Sequence, residues 1–450
     1  MKLGSLKSIV SLILLVTVLM MLAACSNGNS SPNAGTVNTE ETSTPVTSND
    51  SSSEKIKLTF QNAYPDETNI QHRVMKQIVE NYMNENPNVT IVLDSLNGDQ
   101  QKIKLKTQAA SDSMPDITVV NASAQMEPFV TANKLAPLND ILAIDGLGDS
   151  FQQGILDYFT FDDQVYALPD GNNVAVVYYN KTLFEQAGVS IPTTFDELLI
   201  AVETFSSKGI IPMAIGEKET WTGSYLFMNI VLRLAGPGYL ADVMNGTKTF
   251  NDPAFVESIS KMEQLVQSGA FQEGATSYDY DMASSLFTTG QAAMYFMGTW
   301  ATAEIEDAGI ADEVGVFSFP TVDGQGDVNE YMLGPGTAFA LSANSPNLEA
   351  AKLFLHYYMK NYPIVAFEMK NAVGLAQDVE GDFASAGYSQ LAIEVLDLFK
   401  SVTGGDIAFD STLDASTTQI HLNSIQNVFV SEIISEDVAA EHQAAFEENN

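Results

Sequence analysis

From residue 56 onward the chain keeps switching between a two-residue and a three-to-four-residue hydrophobic period, and this alternation limits its fold more than any other feature. Ile56, Leu58 and Phe60 alternate with Lys55, Lys57 and Thr59, as a half-buried strand requires. Val74, Ile78 and Tyr82 then recur at helical spacing, and Val89, Ile91 and Leu93 alternate again. The runs 117–120 and 174–179 are continuous and apolar, as in strands covered on both faces. A helix opening at Thr194, with Glu197 completing a capping box, turns Leu198, Val202 and Phe205 inward and stops at Gly209. Asp252-Pro253 opens a second helix, with Phe255, Ile259, Met262 and Val266 on one face and Gly269 as its stop. Ser345-Pro346 opens a third, with Leu348, Ala351, Leu355 and Tyr358 inward, and short apolar runs lie at 210–215, 292–297 and 314–319. Strand–helix alternation over this length predicts α/β layers with mainly parallel sheets. A chain of 450 residues is too long for one compact core, so two domains are expected. No internal repeat and no second polar linker interrupts the body, so ordered crossings are expected to join the domains, with a cleft at the carboxyl ends of the strands.

The first 55 residues read differently. Met1 to Lys7 carries two lysines and no acid, and Ile9 to Leu22 is nearly unbroken apolar sequence. This is a signal-peptide layout, too short for a comfortable transmembrane helix. It ends in Leu22-Ala23-Ala24-Cys25, which resembles a bacterial lipobox, and Cys25 is the chain's only cysteine. The resemblance implies a signal peptide over 1–24, cleavage before Cys25 and a diacylglyceryl thioether on its sulfur; the alternative is an ordinary signal peptide with an incidental cysteine. Two acyl chains suffice for stable anchoring, at ~0.8 kcal/mol per buried CH₂. Residues 25–55 are Ser/Asn/Thr/Gly/Pro-rich, cannot offset their ordering entropy by burial, and are expected to form a disordered tether. About 30 such residues span roughly 30 Å.

Charge and missing motifs exclude several function classes. Formal net charge is -37, and removal of Lys2 and Lys7 leaves 18 basic against 57 acidic residues. Nucleic acid is thereby excluded as a partner, because phosphate binding needs clustered Lys and Arg. The sequence has no P-loop, HExxH, GxSxG or EF-hand motif. Gly236-Pro237-Gly238 with Ala241 follows helical rather than strand periodicity and reads as a loop. Four scattered histidines, His72, His356, His421 and His442, read as surface or packed residues, and no metal or other cofactor is expected. Among 57 acids some pair always looks catalytic, so Asp162-Asp163 and Asp279/Asp281 read as solvated or capping residues and no catalytic residue is assigned.

Three segments carry a family resemblance. From Asp163 the chain reads DQVYALPDGNNVAVVYYNKTLFEQAGVSIPTTFDELLIAVETF. Phe287 to Trp300 reads FTTGQAAMYFMGTW, and residues 113–117 read SMPDI. These resemble the family 1 extracellular solute-binding proteins, which feed carbohydrate ABC importers. The resemblance covers nearly all of residues 56–450. It implies a bilobed periplasmic-binding-protein-like fold, two α/β lobes with a hinge and a ligand cleft between them. The first lobe would comprise 56–170 plus 341–378 and the second 174–335 plus 380–450. A YxLP turn, here 166–169, would precede the apolar hinge strand.

A sugar site needs acceptors for hydroxyls and flat aromatic faces for C–H surfaces, and unpaired buried hydroxyls would be costly. The two tryptophans are the first candidates. Trp300, after Gly298-Thr299, occupies a position that the family commonly turns to its ligand; core packing is the alternative. Trp221 opens a helix whose N-terminus offers free N–H donors. Tyr64 and Asp66 follow the first strand, Asn121 a later one, and Asn172 and Asn173 lie beside a crossing. Gly334 precedes the other crossing, placed at 337–341, where it would serve hinge rotation or close ligand approach. Asp116 reads as structural.

The resemblance therefore implies a monomeric lipoprotein, anchored to the cell membrane through Cys25, that captures a small solute, a sugar or oligosaccharide. It would pass that solute to the permease subunits of an ABC importer. Two other readings remain: a secreted glycan-acting hydrolase, and a cell-surface attachment protein with no small ligand.

Overall fold

The computed structural model describes residues 55–449; Cys25, the signal segment and nearly all of the tether expected over 25–55 lie outside the described residues. Thirteen strands are present among them: β1 Ile56–Asn62, β2 Val89–Ser95, β3 Ile117–Val120, β4 Thr160–Phe161, β5 Gln164–Val165, β6 Ala167–Pro169, β7 Asn173–Asn180, β8 Ile211–Ala214, β9 Ala292–Gly298, β10 Val314–Phe317, β11 Glu330–Gly334, β12 Ala338–Leu341 and β13 Gly404–Ile407. Five form one sheet in the order β2-β1-β3-β12-β6, six form another in the order β13-β11-β7-β9-β8 with β10 on β7, and β4 pairs with β5.

The first sheet organises the first lobe. Leu58 and Phe60 of β1 point into a core with Val74, Ile78, Phe354 and Tyr358 from the helices Ile70–Glu85 and Leu348–Glu368. The Phe60 ring meets Phe339, Phe354 and Tyr358 edge-on at 5.6, 6.0 and 5.8 Å. The alternate residues Thr59 and Gln61 face a polar network instead. Asp116 accepts from the Thr59 amide and hydroxyl, both at 2.8 Å, and from Ser345 Oγ at 2.5 Å. It thereby staples β1 to the start of the Leu348–Glu368 helix.

In the second lobe β7 is buried on both faces, as its apolar run requires. Ala175 and Val177 enter one core while Val174, Val176 and Tyr178 enter another. Helix Trp221–Ala235 is apolar almost all round and lies inside the lobe. Its Arg233 is sealed in by donating to the carbonyls of Phe319 and Glu330. Thr194 caps its helix as expected, accepting from the Glu197 amide at 3.2 Å. The Glu197 carboxylate, however, returns to the amide and hydroxyl of Thr193, one residue earlier than a capping box predicts.

The sheets are not mainly parallel. Four pairings are parallel and six antiparallel. The reason lies in the crossings. The chain leaves the first sheet along β6, enters the second along β7, and returns by β11 to β12. The outward and return paths therefore run antiparallel, with Asn173 opposite Gly334 and Pro169 opposite Ala338. The 166–169 segment is thus largely a strand, β6, rather than a turn. The return crossing is 335–337, earlier than the sequence places it, and β12 already belongs to the first sheet. At Gly336, with φ +75°, a β-carbon would meet the Gly171 backbone at 2.8 Å, so the two paths touch. A third segment runs beside them: the Asn172 amide donates to Gly374 O at 2.7 Å and the Ala376 amide to Asp170 O at 3.2 Å. Beyond it Tyr388 and Ala392 pack into the first core while Leu391 and Val395 pack into the second lobe.

Candidate functional site

A cavity of about 390 Å³ lies between the lobes, floored by the crossings. Tyr64, Asn121, Asn173, Trp221, Trp300 and Gly334 all line it. Three further candidates do not. Asp66 is exposed and accepts from the Thr68 amide at 2.8 Å, which closes a local turn. Asn172 donates to Gln152 Oε1 at 2.6 Å and lines a separate cavity, of about 500 Å³. Gly298 is covered by the indole of Trp300: a β-carbon there would lie 2.0 Å from Trp300 Cζ3.

Trp300 lies two residues past the end of β9, at the N-cap of the helix Ala301–Asp307, so the strand delivers its ring to the gap. It stacks on Tyr225 at 5.9 Å with 29° between planes, and Trp221 stacks on Tyr280 at 5.9 Å with 26°. The two tryptophans are 6.3 Å apart. Both indoles and Tyr280 keep partial exposure, so part of this four-ring platform remains free for an apolar ligand face. Sequence reading missed Tyr225 and Tyr280. Tyr225 lies four residues after Trp221 on one helix face, a spacing that could have revealed it. Tyr280 opens its own helix and carries no such signal.

The N-terminus of the Trp221 helix is less free than expected. Glu217 is fully buried and its Oε2 accepts from the Gly223 amide at 2.6 Å and Thr222 Oγ1 at 3.0 Å. Burial pushes its carboxyl up to about 8.

Polar groups surround the platform. From the first lobe, Asn121 Nδ2 donates to Gln125 Oε1 at 2.7 Å, and Gln125 Nε2 donates across the gap to Asp410 Oδ2 at 2.8 Å. A second bridge between lobes is the ion pair of Arg73 and Asp307 at 2.6 Å. At the floor, Asn173 Oδ1 accepts from Thr299 Oγ1 at 2.9 Å. Asp170 accepts from Tyr64 Oη and, at 2.9 Å, from Thr337 Oγ1, joining both crossings to the turn after β1. Burial raises Asp170 to about 6. Glu304 is also raised, to about 7, by burial; it accepts from Tyr280 Oη at 2.9 Å and Ser284 Oγ at 3.2 Å. Two of the scattered histidines meet behind the cavity wall: His421 Nδ1 and His442 Nε2 are 2.9 Å apart, and His421 Nε2 contacts Oγ of the lining residue Ser224 at 2.7 Å. Among the described residues no group of three His, Cys, Asp or Glu is placed to hold a metal ion.

Known proteins share this architecture. Residues 68–361 match the family described as bacterial extracellular solute-binding proteins. An uncharacterised ABC transporter extracellular-binding protein of Pyrococcus horikoshii is 26% identical over 60% of this chain, and the match spans 61% of that protein. The multiple sugar-binding protein of Streptococcus mutans is 27% identical over 63% of this chain and 67% of its own. Among solved structures, one reported with xylan utilization by Caldanaerobius polysaccharolyticus superposes with a TM-score of 0.81 at 32% identity, covering 86% of this chain and 99% of that one. A chitin oligosaccharide binding protein superposes with a TM-score of 0.79 at 27% identity, covering 88% and 98%. With most of its body matched, the chain belongs to the bacterial extracellular solute-binding protein family.

Proposed function

We propose that the protein captures a saccharide between its lobes and presents it to the permease subunits of an ABC importer. The observation that carries this reading is the platform of Trp300, Tyr225, Trp221 and Tyr280, ringed by carboxylates and amides in one interlobe cavity. Sugars offer flat C–H faces to such rings and hydroxyls to such acceptors. The Streptococcus mutans relative is a sugar-binding protein and the second structural neighbour binds chitin oligosaccharides, which supports carbohydrate as the solute class. The moving bodies are 56–170 with 341–378, to which β12 adds 338–340, and 174–335 with 380–450, from which Tyr388 and Ala392 pack against the first body. Trp221, Trp300, Tyr64, Asn121 and Asn173 contact the solute, and the bridges Gln125–Asp410 and Arg73–Asp307 favour the closed form that the permease receives.

The saccharide leaves unaltered. Of the wall carboxyls whose affinity for protons is raised, Glu304 has both oxygens engaged by Tyr280 and Ser284, and Asp170 is held by Tyr64 and Thr337. Capture occurs at the outer face of the membrane, with the protein held as a monomer by a diacylglyceryl group on Cys25. Cys25→Ala is expected to release the protein to the medium or leave it unprocessed; retention of a normally processed protein would remove the anchor.

Thermal unfolding of residues 54–450 against mono- and oligosaccharides tests the capture. A ligand bound only by the folded state adds RT ln(1 + [L]/Kd), ~2.7 kcal/mol at a hundredfold excess over Kd. An upward shift with one sugar class is expected, with no product released from chromogenic glycosides. No shift with any sugar would discard carbohydrate, and hydrolysis would discard pure binding.

A further inference from the structure

The cavity walls are mostly acidic on both sides, with Lys102 and Lys370 as the lining cations. Asp99 stands in the first turn of the helix Gly98–Ala110 in the first lobe; Glu219 and Asp281 stand in the second. Burial raises the affinity of Glu219 for a proton, and Asp99 adds to it across the gap. Asp281 is raised the same way, by burial first and then by Asp279, Asp66 and Asp99. Approach of the lobes therefore drives like charges together.

Little on the walls compensates. Lys102 lies 3.7 Å from Asp99, while Lys370 donates to the Gly387 carbonyl at 2.6 Å. Lys218 stands 3.8 Å from Glu219 Oε1 and 3.5 Å from Asp279 Oδ2, and is shared between them with half its side chain in solvent. Several other wall carboxylates have hydrogen-bond donors: Glu304 has Tyr280, Glu306 has Ser389 and Asp410 has Gln125. Glu219 Oε2 is shut off from solvent and has no hydrogen-bond partner. It lines the same cavity as the Trp221 platform. A buried acceptor without a donor is costly, and a ligand that supplies a charged donor recovers most.

We propose that the cleft selects by charge, ranking a saccharide with a free amine above its neutral analogue and that analogue above its uronate, with Glu219 receiving the amine. This inference rests on the carbohydrate reading. The ammonium satisfies Glu219 and relieves the repulsion between Asp99 and the second lobe, whereas a uronate adds a further like charge between walls that already repel.

Two matched triads test it by calorimetry: glucosamine, glucose and glucuronate, then galactosamine, galactose and galacturonate, each also as the β-1,4-linked disaccharide. Each step of the ranking is expected to be worth about tenfold in Kd, the size of one charge-assisted contact. The spread should narrow toward 1 M salt, where screening shortens to about 3 Å. Glu219→Gln keeps the side-chain shape and should remove most of the amine's advantage over the neutral sugar, while Asp99 and Asp281 keep the uronate weakest. A flat or reversed ranking overturns the proposal and leaves the carbohydrate reading standing. Silence in both triads while another sugar shifts the melting curve also overturns it, because the amine then supplies no affinity. Silence with every sugar overturns both.

Discussion

Gly298 shows how one residue sets the site. It ends β9 with no side chain, and the Trp300 indole lies on it, 2.0 Å from where Cζ3 would meet an added β-carbon. Glycine is needed there for space, since the ring must fold back over the strand end to reach Tyr225. Gly298→Ala is therefore expected to expel the indole and to mimic Trp300→Ala. Both should weaken sugar binding at least tenfold, ~1.4 kcal/mol, without lowering the far-UV circular dichroism. Unchanged affinity in Trp300→Ala would take that ring out of the site. Unchanged affinity in Gly298→Ala alone would mean that the ring can bind from another rotamer. Asp170, in contrast, had no sequence signal. It sits at the end of β6, yet its burial, its bond from Tyr64 and its bond from Thr337 join positions 106 and 167 residues away.

At the scale of elements, local hydrophobic period was a good guide and pairing was not. The run 174–179 reads as a strand covered on both faces because both of its faces carry Val, Ala or Tyr, and β7 does separate two cores. The Asp252-Pro253 helix starts at Pro253 as read, because proline suits the first turn. The third helix begins two residues later than Ser345-Pro346 suggests, since Ser345 is engaged with Asp116. Strand direction was missed because period is blind to it. The choice between parallel and antiparallel depends on how often the chain passes between lobes, and only the neighbours of β6, β7, β11 and β12 reveal that. A family motif pointed to Trp300 and a helix start to Trp221, and both line the cavity, but Gln125 and Asp410 lie 285 residues apart and neither has a neighbour that marks it. A polar contact between lobes comes from tertiary geometry: both partners are half-buried in the structure, yet each reads in the sequence as an ordinary surface polar residue.

The whole molecule is strongly acidic, and its buried titratable groups give that acidity a direction with pH. Burial raises Glu217 to about 8 and Glu304 to about 7. A carboxyl whose folded pKa is raised binds more protons folded than unfolded, so its stability is present at low pH and is lost as pH rises through the folded value. Both groups therefore cost stability at pH 8, and each returns up to ~1.4 kcal/mol per pH unit on acidification. The buried pair His421 and His442 works the other way. Burial lowers both, His442 to about 4, so unfolding takes up protons below the usual histidine value of 6.5 and stability falls there. Asp170, raised to about 6, offsets part of that loss. Between pH 8 and 6.5 the carboxyls act almost alone, and the melting temperature is expected to rise by a few degrees on acidification. Relief of overall negative charge would give the same sign, since -37 charges repel one another. Glu217→Gln separates the causes, because it changes net charge by one while removing one of two buried protons from the balance. The local account requires the slope between pH 8 and 6.5 to fall by about two-thirds, because the higher folded value of Glu217 fills more of that window. A slope that is unchanged in this variant, and flattened instead by added salt, would assign the effect to the surface.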